Sequence, residues 1–412
     1  MAYRSGTTSY FQPQQGTVTS QATVSTLVAN SMLWAGVAEA VAAAEPLAIF
    51  NGGGITMSVE LWRATVDNAL VEDISEYLVD GSVDLNLDRD IKLAASFTLR
   101  NPSVITPYTD YLAPFIRLEF DDGADDVYQQ VGLFATKVAP GRYTVEDSVA
   151  TYEGMDLTSL MATSYYTDVN NIAAGANYVS GTNGIVNGIT GAGITRYNIP
   201  ATTSTTAAAQ SFKIGSSRLD KVNTLLDQLG WYHVAMDLDG KISTPGAPQN
   251  LLSMEPWREL TDSDLLAPPD VQPTGLEIAN VVLVINDDPA AAPLSSLATN
   301  SDPQSPTSTV SIGRSIMRLV TVQGSTTQAA LDALAARILA ESRTYYRTCK
   351  VTILHDPTAL VPHQTVRLTL TGEMESLSGL WWIRTASIGL TPDKPVVMEL
   401  NQVTSDLVVG TI

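Results

Sequence analysis

From Ile55 onward, apolar and polar residues alternate with a period of two. Val59 and Leu61, then Val83, Leu85 and Leu87, then Ile91, Leu93, Ala95, Phe97 and Leu99 take every second position. This is the pattern of strands with one buried face. Asn101-Pro102 and Thr106-Pro107 break it, because proline lacks the ladder N–H and restricts the residue before it. Ile116, Leu118 and Phe120 resume the alternation into a turn at Asp121-Asp122-Gly123. Val131 to Val138 returns, Pro140-Gly141 predicts a further turn, and a strand follows from Tyr143. Residues 51–160 are expected to form an antiparallel β domain.

The pattern then changes. Asn170 to Ala209 is rich in Gly, Ala, Thr and Ser without a clear period, and no element is predicted there. Leu219, Val222, Leu225, Leu226 and Leu229 fall on one helical face, with Ser217 as cap, Asp220 three residues on and Gly230 at the C′ position. The spacing predicts a helix over 217–229, followed by a hairpin over 231–244 that turns at Asp237-Leu238-Asp239-Gly240. Residues 161–265 are therefore expected to be an inserted helix-plus-hairpin domain. Pro-rich punctuation at Ala267 to Pro273 precedes a near-continuous apolar run, Ile278 to Ile285, read as a strand. Residues 287–310, rich in Pro, Ser and Ala, predict an exposed loop. A helix is expected over 326–346, with Ser325 and Gln328 in capping-box spacing and a stripe of Leu331, Leu334, Ala335, Ile338 and Leu339. Strands at Val351 to Leu354, Thr365 to Leu370, Trp381 to Leu390 and Val396 to Leu400 complete a second β domain over 266–412. Residues 1–50 read as an arm, Ser/Thr/Gln-rich to about Ala29, with a short helix from Asn30 to Ala44.

Composition narrows the function. The 412 residues suffice for several cores, and 44% hydrophobic content is that of a folding chain. Lys and Arg number 23 against 43 Asp and Glu, a net charge of −20, so phosphate neutralisation is lacking and general nucleic-acid binding is not expected. Cys349 is the only cysteine, which rules out an intrachain disulfide and a multi-thiolate zinc site. The most apolar N-terminal run, Ser31 to Phe50, is interrupted by Glu39, Glu45 and Pro46, so no membrane span is expected, and Arg4 followed by a long polar stretch does not resemble a secretory leader.

Candidate chemistry is sparse. His233, His355 and His363 are the whole histidine inventory; His233 is expected to be a packed or surface ring, and a metal at the other two would find only Asp356 nearby. Asp121, Asp122, Asp125 and Asp126 form the one weak metal candidate, a carboxylate cluster around Gly123 that lacks the ligand alternation of an EF-hand. Gly52 to Gly54 lacks the lysine and hydroxyl of a phosphate loop, and no Gly-x-Ser-x-Gly elbow occurs. No cofactor is implied. The acidic run Asp67, Glu72, Asp73, Glu76, Asp80, Asp84, Asp88 and Asp90 has one nearby base, Arg89, and reads as a solvated face or a functional acidic surface.

The order of these parts, and above all the segment Phe212 to Leu226 followed by Gly230-Trp231-Tyr232 and a strand-turn-strand to Lys241, resembles the baseplate hub proteins of tailed bacteriophages. The likeness runs loosely from Ile55 to Thr404 and rests on patterns instead of signature motifs. It implies a mostly β, minor α fold with two tube-type antiparallel β-barrel or sandwich domains and the helix-plus-hairpin insert. It further implies a non-enzymatic virion protein of the tail tip, assembled in the host cytoplasm as a homotrimer. Its two β domains per chain would mimic sixfold symmetry. The implied partners are a distal tail protein or tail-tube hexamer, a tape measure protein, and tip or fibre proteins. DNA would pass an acidic lumen, for which Asp84, Asp88 and Asp90 are the candidates, without specific binding. Competing expectations are a tail-tip cell-wall hydrolase and a receptor- or carbohydrate-binding tail module.

Overall fold

In the computed structural model the alternating segments pair as strands. The structure describes residues 55–100, 102–120, 127–144, 149–246, 254–273, 278–287, 294–323, 327–344, 347–354, 356–391 and 394–403. The expected arm and helix of residues 1–50, the carboxylates Asp121, Asp122, Asp125 and Asp126, and Ser325 and His355 lie outside these residues.

Eight strands come from the first alternating region: β1 (Ile55–Ala64), β2 (Leu70–Asp73), β3 (Leu78–Asn86), β4 (Leu93–Arg100), β5 (Tyr111–Phe120), β6 (Val127–Gln130), β7 (Phe134–Thr144) and β8 (Val149–Asp156). Their pairings are antiparallel, and β1 meets β5 along its whole length, from Ile55↔Phe120 to Ala64↔Tyr111. Val83, Leu85, Leu93, Phe97 and Leu99 point into the core while Asp84, Ala94, Ser96 and Thr98 lie half-exposed on the other face, as the period of two requires. The turn expected at Pro140-Gly141 is absent. β7 runs through it as one strand with its register shifting between Val138 and Tyr143, a lapse in pairing that accommodates a residue with no ladder donor.

The insert is more ordered than its sequence suggests. It holds α1 (Thr158–Thr163), β9 (Asn170–Ile172), α2 (Ile185–Thr190), β10 (Tyr197–Asn198), β11 (Gln210–Phe212), α3 (Arg218–Leu229), β12 (Ala235–Met236) and β13 (Ile242–Ser243). In α3, Ser217 Oγ accepts from Asp220 N at 3.0 Å and Gly230 closes the helix at φ 71°. Leu219, Val222, Leu225 and Leu226 are buried. A Cβ on Gly188 of α2 would stand 2.5 Å from Val222 Cγ2, so glycine sets how closely the two helices approach. β12 and β13 form the expected hairpin, and β10 joins β13 in parallel.

The remaining strands divide in two. β14 (Arg258–Thr261), β15 (Asp270–Pro273), β19 (Arg347–Ile353), β20 (Thr365–Thr369), β21 (Gly379–Gly389) and β22 (Val396–Gln402) extend the first set. β21 pairs antiparallel with β3 from Thr385↔Asn86 to Gly389↔Ser82, and this seam makes one fourteen-stranded sheet of both sets. The other part is a separate layer: β16 (Val281–Asp287), β17 (Ser295–Thr299), α4 (Thr309–Ile312), β18 (Met317–Gln323) and α5 (Gln328–Thr344), with the three strands in the order β17-β16-β18. The loop expected over 287–310 therefore contains an edge strand, β17. Its Ser-Ser-Leu-Ala-Thr sequence carries little β signal, and pairing with the apolar β16 holds it in place. Val282, Val284, Val322, Leu331, Leu334 and Ile338 form this layer's own core, while one larger core runs through both β sets and the insert. The fold is mostly β with few helices; among the described residues the pairs β14–β20 and β16–β18 are parallel where the second β domain was expected to be antiparallel, and β10, in a stretch where no strand was predicted, also pairs in parallel with β13.

Candidate functional site

The seam creates a surface that neither β set has alone. A cross-strand row runs Val397, Ser387, Asp84, Ala94, Met155 and Ala135, crossing β22, β21, β3, β4, β8 and β7. Flanking rows add Asn86, Thr385 and Glu399 on one side, and Ser82, Ser96, Glu153 and Lys137 on the other. Most of these side chains are short, so the face is a broad, low-relief polar surface. Its carboxylates are partly matched: Lys137 Nζ lies 2.9 Å from Glu153 Oε2, and Lys394 pairs with Asp80.

Of the three proposed lumenal carboxylates, the structure puts only Asp84 on this face. There its Oδ2 accepts from Ser82 Oγ at 3.2 Å. Asp88 and Asp90 are exposed in the turn between β3 and β4, at the end of the sheet. Buried Lys92 ties that turn, its Nζ donating to the carbonyls of Leu87 (3.2 Å) and Arg89 (3.1 Å). The acidic run also proves less isolated than its sequence suggests. Arg63 meets Glu72 at 2.9 Å, Lys394 meets Asp80, and Arg384 meets Asp88. Strand pairing brings two of these bases from some 300 residues away in sequence, which local charge counting cannot register.

A second arrangement, which sequence reasoning missed, sits where the insert, the second strand set and α5 converge. Arg337 of α5 donates to Trp231 O, reaches Asp227 Oδ1 at 3.4 Å and lies over the Tyr232 ring at 5.3 Å. Tyr232 packs against His363 with centroids 4.4 Å apart, His363 stacks on Trp382 at 6.3 Å, and Arg384 covers Trp382 at 4.7 Å. Arg384 then pairs with Asp88. The result is a file of three rings with a guanidinium over each end, running from α5 to the β3–β4 turn. His233, expected as a packed or surface ring, is half-buried with Nε2 2.9 Å from Asp227 Oδ1. His363 adopts φ 64° and is buried; burial, with Lys92, Arg337 and His233 nearby, holds its pKa well below the ordinary histidine value.

Other ionisable groups are occupied locally. Asp156 is fully buried, and burial raises its pKa although Leu93 N (2.9 Å), Thr158 N (2.7 Å) and Thr158 Oγ1 all donate to it. Asp237 is pushed up to about 7 by burial and by Asp239, while its Oδ1 accepts Lys241 N at 2.7 Å across the hairpin turn. Lys221 is buried on α3, with Nζ 2.8 Å from Asn170 Oδ1 and 3.2 Å from Tyr166 OH; burial lowers it to about 8. Burial raises the Cys349 thiol to about 12. Among the described residues no three of His, Cys, Asp and Glu converge as a metal-ligand set, and no helix is long and apolar enough to cross a membrane.

The sequence matches no protein-family model and no curated protein. Solved structures do match. The tail protein from Neisseria meningitidis MC58 superposes with a TM-score of 0.55 at 13% identity, over 84% of this chain and 97% of that one. The 43 kDa tail protein of prophage MuSo2 from Shewanella oneidensis gives 0.55 at 12% identity, over 85% and 99%. The chain has a tail-protein fold. At these identities the likeness concerns architecture.

Proposed function

We propose that the chain is a structural, non-enzymatic subunit of a phage tail tip. Three copies form a hub ring that joins a sixfold tail tube or distal tail protein to a threefold tip, and DNA passes through the ring. The observation that carries this reading is the β3–β21 seam, which fuses two strand sets into one sheet with a polar face continuous across both. Three such chains supply six strand sets, the number a sixfold partner presents. The low-relief row through Ser387, Asp84 and Ala94 suits a lumen wall, since short side chains and an excess of carboxylates offer a passing polyphosphate no foothold. Tape measure and tip or fibre proteins would engage the two rims, and the place of action would be the virion tail.

The shifted carboxylates fit structural work. Asp156 accepts Thr158 N beside it and Leu93 N from β4, and Asp237 accepts Lys241 N across its own turn, whereas a hydrolase needs acids turned toward a substrate cleft. Native mass spectrometry of the purified full chain tests the reading. A species of three chains, seen as a ring by negative-stain microscopy, is expected. A chain that stays monomeric or dimeric at micromolar concentration overturns it, and clearing in a cell-wall zymogram would overturn the non-enzymatic assignment.

A further inference from the structure

The small layer of β16, β17 and β18 is inserted between β15 and β19, which pair with each other at one end of the large sheet; β2 closes the other end of its strand order. One face of the layer is covered by α5, against which Val282, Val284 and Val322 are buried. The other face is open among the described residues. Its central row is Leu297, Leu283 and Leu319, with Val281 and Met317 on one side and Ile285 on the other. Thr299, Ser295 and Thr321 complete it, so none of its positions is ionisable in a chain of net charge −20. Leu297 is 61% exposed, Leu319 59% and Met317 56%. An apolar centre with an uncharged polar rim is the make-up of a protein contact.

Size, charge and position together select the occupant. Three strands about 4.8 Å apart and five residues long span roughly 15 by 17 Å, far below the ~800 Å² that each partner buries in a stable interface. The face is therefore one part of a larger contact and not a two-fold dimer interface of its own. Its border is cationic, with Arg314 and Arg318 exposed beside Met317, in a chain of 43 acids against 23 bases. The other end of the strand order carries the complement. The outer edge of β2 pairs with no described strand, and Val71 on it is 55% exposed. Glu72, Asp73 and Glu76 stand exposed alongside, with Arg63 meeting Glu72. Two unlike patches, one apolar and bordered by arginine, the other an open edge bordered by acid, make a head-to-tail contact, and such a contact repeated by rotation closes a ring. We propose that the open face of β16, β17 and β18 seats on the β2 end of the next copy, Leu297, Leu283 and Leu319 covering Val71 while Arg314 and Arg318 face Glu72, Asp73 and Glu76. This contact rests on the ring reading and supplies its three joints.

The test uses two variants of the full chain. Leu297→Lys with Leu319→Lys disables the face and leaves β2 intact; Val71→Lys with Glu76→Lys does the reverse. All four positions are exposed, so both variants should keep the circular dichroism of the wild type; where the lysines unfold the layer, Leu297→Ser with Leu319→Ser serves instead. In native mass spectrometry each variant alone should lose the trimer and run as a monomer. An equal mixture should give a dimer with one copy of each and nothing larger, because only one intact joint can form. A trimer from either variant alone overturns this contact and leaves the ring standing. A mixture that stays monomeric does the same, and so does a dimer of the β2 variant with itself, which would make the face two-fold. A wild-type chain that is not trimeric overturns the ring and this contact together.

Discussion

Protonating His363 would place a cation between the rings of Tyr232 and Trp382, where Lys92 and Arg337 already contribute positive charge. Its pKa is depressed on folding, so below the ordinary value of about 6.5 the unfolded chain binds a proton that the folded chain refuses. Stability is therefore full above that pH and is lost as pH falls beneath it. Urea midpoints give this site's share as the difference between the wild type and a variant without the imidazole: that difference should fall between pH 7 and pH 5 by the equivalent of about 1–2 kcal/mol, whereas the wild type's own profile is offset by Asp237, which is held up to about 7 and gains its proton on folding over the same range. His363→Asn, which tolerates φ 64° better than most residues, should be less stable at pH 7 for want of its ring contacts, yet be relatively better off than the wild type as pH falls from 7 to 5. An equally steep profile in the variant would place the titrating group elsewhere. Nothing in the sequence around His363 disclosed this. Its neighbours Pro362 and Gln364 suggest a turn, and the rings that enclose it come from residues 232 and 382, a proximity created by the docking of the insert on β21.

Helices were legible wherever their signals were local. The cap at Ser217, the stripe of α3 and the stop at Gly230 are all sequence features, and all appear where the spacing puts them. The stripe of α5 is equally plain, although Thr327, whose Oγ1 accepts Ala330 N at 3.2 Å, caps its start among the described residues. β17 and the short strands between residues 170 and 212 were not legible, because they are held by partners distant in sequence and not by their own composition. Gly230 also serves a contact that no local rule reveals: a Cβ there would come within 3.2 Å of Ala333 Cβ on α5. Gly230→Ala should thus combine left-handed strain with crowding between α3 and α5, costing about 2 kcal/mol. Ser217→Ala, which removes only the cap, should cost about 1 kcal/mol. Urea unfolding checks the order of the two. If Gly230→Ala proves the milder change, the two helices are not in close contact at that point.

The whole chain reads as two strand sets from its alternation, but the seam that fuses them is a long-range pairing invisible to periodicity. That seam decides what the acidic residues do. The sequence grouped Asp84, Asp88 and Asp90 as one candidate lumenal set, while the structure gives them three different surroundings. Asp84 shares a face with Ser387 and Ala94; Asp88 balances Arg384, which covers Trp382; Asp90 stands exposed in a turn at the sheet's end. Reversing each charge should therefore give separate results in assembled particles. Asp84→Lys adds a cation to the proposed lumen wall in every copy, each worth about 1 kcal/mol against a phosphate at 4 Å in water. It should slow genome ejection at low ionic strength, and salt should restore the rate as the screening length contracts below about 10 Å. Asp88→Lys sets two cations side by side at the end of the ring file, so its defect should appear as lowered stability or poor assembly, with little salt dependence in ejection. Asp90→Lys should do neither. Ejection by Asp84→Lys particles at the wild-type rate in low salt would mean that this face does not meet the DNA, and the lumen would have to be sought on another surface of the sheet.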